Sequence, residues 1–184
     1  MTDNKLGPLA ILAGTWEGDR GTDVAPGPDL GEMTTAFRER MVFEPVGQVS
    51  NHQQCLFGLR YATTVWPAGE DEPFHEEVGY WLWDAANRQV MRSFTVPRGY
   101  TVLAGGTADS DAAQFQVAAD LGSATYGICS NQFLDQAFRT VRFQCNMTIH
   151  DAESFSYEED TQIRIRGQAD LFHHRDANRL VRSR

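Results

Sequence analysis

Two histidine-bearing segments carry most of the chemistry that this sequence can offer. His75-Glu76-Glu77 sets an imidazole beside two carboxylates, a combination able to pass a proton. Neighbours in a strand point to opposite faces, so on a strand only His75 and Glu77 share one. His173-His174, near the C-terminus, is the second segment. A neutral imidazole ligates a metal when a neighbouring oxygen holds its other nitrogen and fixes its direction. The competing reading makes both histidines loop residues, or packs one of them locally against Asp176. Arg38 with Arg40, and Arg92 with Arg98, have the planar donors to grip a carboxylate at the mouth of a pocket. As solvated outer-face charges they would instead discourage sheets from associating. Tyr80, Trp81 and Trp83, with Trp66 and Tyr100, have the composition of a small-molecule pocket wall, and equally that of a core. His75, Trp81, Tyr100 and Arg38 are the expected pocket residues. Phosphate-binding glycine loops, HExxH and Gly-x-Ser-x-Gly are absent, and no nucleophile–base set is visible. No catalytic residue is assigned.

The elements that must position these groups read as one domain over residues 1–184, a length that buries a core without disulfides or structural metal. The formal net charge of −9 has the wrong sign for a nucleic-acid backbone or an anionic membrane surface, so neither is an expected partner. Cys55, Cys129 and Cys145 are odd in number and widely spaced, which favours buried thiols in a reducing compartment over disulfides or a zinc site. The N-terminus lacks a basic segment followed by a long apolar run, and nothing later approaches a membrane span. A cytoplasmic protein is expected, as a monomer or homodimer.

Period-two alternation dominates the chain. Between Arg139 and His150, Val141, Phe143, Cys145, Met147 and Ile149 are apolar while the intervening residues are polar. This is the pattern of a strand with one buried face. A short polar turn leads into Phe155–Ile165, which alternates again and completes a hairpin. Further strands are expected around Gly14–Arg20, Met33–Phe43, Cys55–Tyr61, Glu76–Trp83, Gln89–Val96, Tyr100–Thr107, Phe115–Leu121 and Asn178–Arg182. Helical turns are expected at Leu6–Ala13 and Asn131–Ala137. About ten strands with short connections predict an all-β, antiparallel up-and-down barrel holding one small, largely apolar ligand. A two-sheet sandwich would show the same alternation.

Gly14-Thr15-Trp16-Glu17-Gly18 resembles the barrel-closing Gly-x-Trp of lipocalins and their calycin relatives. Glycine allows the tight turn into the first strand, and the indole plugs one end of the barrel. In calycins an arginine of the last strand often lies over that tryptophan, a place that Arg182 or Arg179 would fill through a cation–π contact. Gly14, Trp16 and Arg182 form this structural signature. From Leu9 to Arg182 the sequence resembles the nitrobindin family of haem-binding, fatty-acid-binding-protein-like barrels, which includes the C-terminal domain of THAP4-type proteins. GTWEGDRG, FHEEVGYW and a C-terminal histidine ahead of a strand ending in Leu-x-Arg carry the likeness. The resemblance implies a ten-stranded barrel with a ferric haem b at its open end, held by one C-terminal histidine, here His174 or His173. It also implies nitric oxide binding or peroxynitrite isomerisation at the iron. Arg175-Asp176-Ala177-Asn178 departs from the family pattern as a polar, turn-like insertion, and predicts that the histidine sits on a loop. Three functions follow: a binding protein for haem or another hydrophobic ligand, a haem-dependent peroxynitrite isomerase, and a haem-free fatty-acid carrier with an arginine for the carboxylate.

Overall fold

Alternating apolar residues and short polar turns fold back strand upon strand. The computed structural model describes residues 5–183, so residues 1–4 and 184 of the expected domain lie outside the described ones. A 3-10 turn (Gly7–Leu12) leads into β1 (Gly14–Pro26), β2 (Glu32–Asn51), β3 (Gln54–Pro67), β4 (His75–Asp84), β5 (Gln89–Val96), β6 (Tyr100–Thr107) and β7 (Gln114–Asp120). A three-residue β8 (Ile128–Ser130) and helix α1 (Gln132–Ala137) precede β9 (Phe138–Asp151), β10 (Ser154–Ile165) and β11 (Phe172–Arg182). Asn131 caps α1, its side-chain oxygen accepting from the Leu134 N–H at 3.0 Å.

The strands form one antiparallel ring in the order β5-β4-β3-β2-β1-β11-β10-β9-β7-β6, closed by pairing of β5 with β6. First and last strands join, Trp16 opposite Arg182 and Asp23 opposite Asp176. The short β8 adds only to one end of β6. This closed ten-stranded barrel excludes a sandwich, and closure removes free sheet edges. Among the described residues no helix is long and apolar enough to cross a membrane.

Inward side chains fill the middle of the barrel. Trp81 meets Phe115 edge to face, Phe94 meets Phe143, and Trp16 meets Phe155. A cavity of about 10 Å3 remains between Tyr61, Arg92, Met147 and Glu159, space for about one water.

Three expectations need correction. β1 runs on to Pro26 because Val24, Ala25 and Pro26 pair with Thr34, Met33 and Glu32, which leaves the turn to Gly27–Gly31. The Arg175–Asn178 segment is strand, not a loop: it pairs with β10 on one side and, through Arg175–Ala177, with β1 on the other. Two of the three cysteines, Cys55 and Cys129, are exposed, and only Cys145 is buried.

Candidate functional site

One end of the barrel is closed by packing. Trp16 is fully buried, and its Nε1 donates to the Leu12 carbonyl at 2.7 Å. The Arg182 guanidinium lies 4.2 Å from the indole centroid and donates to the carbonyls of Ala13 and Ile11, both at 2.8 Å. Those carbonyls end the 3-10 turn, so one side chain satisfies them and covers the ring. Gly14, at φ +132°, takes a backbone conformation that only glycine adopts cheaply, with Arg182 directly over it.

Beyond that plug, the interior is charged. Arg92 is 3% exposed and donates to Glu77, to Glu159 and to the Tyr61 hydroxyl, the last at 2.9 Å. Trp81, Phe94 and Phe143 surround the guanidinium. Burial would raise the Glu77 carboxyl, but Arg92, and then His75, overcome it and hold it at about 2. His75 lies on the same face as Glu77, with Nε2 3.7 Å from Oε2. Burial pulls the imidazole down most strongly of any single cause, but the bond and charge of Glu77, with the charges of Glu159 and Glu39, together outweigh it, so His75 is raised. Glu39 accepts from Thr63 at 2.9 Å, Tyr157 at 2.9 Å and Asn178 at 3.2 Å. Burial still lifts its carboxyl to about 7.

β11 presents Phe172, His174, Asp176, Asn178 and Leu180 on one face, as period two requires, with Phe172 and His174 towards the end of the barrel opposite Trp16. His174 Nε2 is 2.7 Å from Asp23 Oδ1 on β1. Asp176 lies directly across from Asp23. Burial first, then Glu159, Glu39 and Asp23, push the Asp176 carboxyl well above its usual range. A smaller apolar cluster of Ile163, Ile165 and Phe172, with Leu30 and Phe138 against it, stands apart from the main core.

The sequence of residues 5–182 matches the family described as the THAP4-like, heme-binding beta-barrel domain. The chain belongs to that family. Among solved structures, Rv2717c from M. tuberculosis is similar in fold, with a TM-score of 0.68 and 23% identity over 98% of both chains. No curated protein matches it.

Within this THAP4-like barrel the expected site residues are distributed unevenly. His174 points inwards, whereas His173 points outwards and meets Asp160 at 2.9 Å. His75 and Trp81 face the interior. The Tyr100 ring packs near Phe94, and its buried hydroxyl makes no hydrogen bond of standard geometry. Arg38 is not a pocket residue of the interior: it stacks on Trp66, 4.3 Å from the ring centroid, on the outside. There both line an open groove of about 420 Å3 with Glu17, Asp19 and Arg40. Tyr80 is likewise exposed. Residues that the alternation passed over complete the interior: Asp23, Glu39, Glu159 and Asp176. Their signal was parity, since Glu39 shares its face with Phe37 and Met41, and Glu159 with Tyr157 and Ile163.

Proposed function

We propose that this protein binds haem b at the end of the barrel opposite Trp16, with His174 as the axial ligand. One observation carries the reading: His174 sits on the inward face of the last strand, 2.7 Å from the Asp23 carboxylate. A carboxylate on one ring nitrogen fixes the imidazole's orientation and raises the basicity of the other, the common arrangement around metal-ligating histidines.

The residues present fit the group in two further respects. The buried Tyr100 hydroxyl makes no hydrogen bond of standard geometry, with only the Thr140 side chain near enough to act on it, and such groups are often satisfied by something bound. The Ile163, Ile165 and Phe172 cluster offers apolar side chains of the kind that line cofactor sites. When bound, haem would supply a ferric iron with an open position for nitric oxide or a peroxynitrite-like oxidant. This chain's own contribution would be to orient His174 through Asp23 and to keep the filled layer around Arg92 dry.

A fatty-acid carrier finds less support. Its carboxylate needs an unengaged interior guanidinium, and Arg92 is already bound by Glu77 and Glu159.

Titration of the protein with hemin, followed by Soret absorbance, tests the proposal. The parent and His173→Ala are expected to saturate at one equivalent, and His174→Ala to lose that saturable change. Equal binding by all three proteins would overturn it.

A further inference from the structure

We propose that a second copy of this chain docks on the outer face of β3–β6, giving a symmetric dimer. Three rows of paired residues cross that face. Tyr80, Ser93 and Leu103 form the middle row, with Val78 and Thr95 on one side and Leu82 and Met91 on the other. Val78, Tyr80 and Leu103 are exposed, Val78 by 59%. Among the described residues, the one charged side chain in these rows is Arg60, opposite Tyr80 at the β3 edge. Glu44 accepts from it at 3.0 Å, so the pair brings no net charge to the face.

The far side of the barrel is built differently. There β10 turns Glu158 and Arg164 outwards and β11 turns Arg175 and Arg179 outwards, all four exposed. The chain carries a net charge of −9, yet keeps one wall clear of it. Outward charges are a common means of keeping sheets apart, and β4–β6 lack that protection.

Symmetry selects the occupant. In a two-fold interface the same patch serves both copies, so a charge near the axis meets its like. Such a meeting costs several kcal/mol. Self-association therefore demands a face free of charge, whereas a different partner can bring a counter-charge and needs no clearing. The polar groups of the face also tolerate burial. The Thr95 and Thr101 hydroxyls lie 3.1 Å apart and satisfy one another. Tyr80, near the centre, joins an apolar ring to a polar tip, the kind of side chain that anchors interfaces.

The size of the wall sets the expected strength. Four strands about 4.8 Å apart, each contributing about seven residues at about 3.3 Å, make about 400 Å2 per copy. Two such walls with their rims reach about 1,000 Å2, the lower bound for specific interfaces, so a reversible dimer is expected.

Sedimentation equilibrium over about 1–200 μM protein, a range that brackets a micromolar dissociation constant, tests the proposal. The parent should pass from one chain to two as concentration rises. Val78→Lys and Leu103→Glu, charges of opposite sign on the same face, should each weaken dimerisation at least about tenfold. Val181→Glu, which adds a charge at an exposed position on β11, should dimerise as the parent does. Thermal melts identify any variant that fails to fold. A parent that stays monomeric throughout would give the face to a different occupant and overturn the dimer. Equal dimerisation by the parent and both folded face variants, or equal weakening by Val181→Glu, would also overturn it.

Discussion

Arg92 is the only buried cation among the described residues, and its guanidinium is shared between Glu77 and Glu159 on opposite walls of the barrel. An ion network of this kind adds little net stability over apolar packing. Removing one partner is different, because the other charges stay buried without compensation. Arg92→Met should therefore cost about 3–5 kcal/mol of unfolding free energy. Adding Glu77→Gln and Glu159→Gln to the same chain should recover much of that loss. Urea midpoints of parent, single and triple variants measure both effects. A single variant within about 1 kcal/mol of the parent would mean that the carboxylates had taken up protons or water instead. In the sequence Arg92 was visible as a charged residue between Val90 and Phe94, on the apolar parity of its strand. Its partners were not, since nothing local tells Glu159 that the arginine stands across the barrel.

Strand identity was largely legible because alternation is a local property. Gln89–Val96 and Tyr100–Thr107 were readable to the residue, and both helical turns were present in the sequence. β11 shows where local reading fails. Arg175, Asp176, Ala177 and Asn178 have turn composition, yet pairing with β1 and β10 carries the strand through them. Asn178 points inwards and donates to Glu39, a partner 139 residues away, so its place is a tertiary fact. The same strand ends in Arg182, whose two donors hold the carbonyls of Ile11 and Ala13 while the guanidinium covers Trp16. Arg182→Ala should cost about 2 kcal/mol through the unsatisfied carbonyls and the lost cation–π contact. Arg182→Lys should recover less than half, because one ammonium has no planar fork to span both carbonyls and lie flat on the indole. Urea denaturation followed by tryptophan fluorescence gives both values, and equal stability of the two variants with the parent would remove this arginine from the end plug.

At the scale of the whole molecule, the barrel closes around more interior carboxylates than cations, and this makes folding depend on pH. Glu39 is held near 7 by burial, against an ordinary value of 4.5. Between those values the folded chain keeps a proton that the unfolded chain has released, so stability falls as pH rises through that window. His75, also raised, acts in the same direction: its contribution is complete below the ordinary histidine value and is lost at higher pH. Glu77 opposes them. Held at about 2, it contributes fully above 4.5 and loses that contribution as pH falls towards 2. Stability should therefore peak near the junction of the two windows, at about pH 5. At about 1.4 kcal/mol per pH unit, ionising Glu39 costs the fold about 3 kcal/mol by pH 8. Glu39→Gln keeps the size of the side chain and its acceptor oxygen while removing the charge. Its thermal midpoint should exceed the parent's at pH 8 and converge with it near pH 4.5. Parallel pH profiles for the two proteins would show that Glu39 does not titrate in this range, and that the carboxylate is satisfied by Thr63, Tyr157 and Asn178 without a proton.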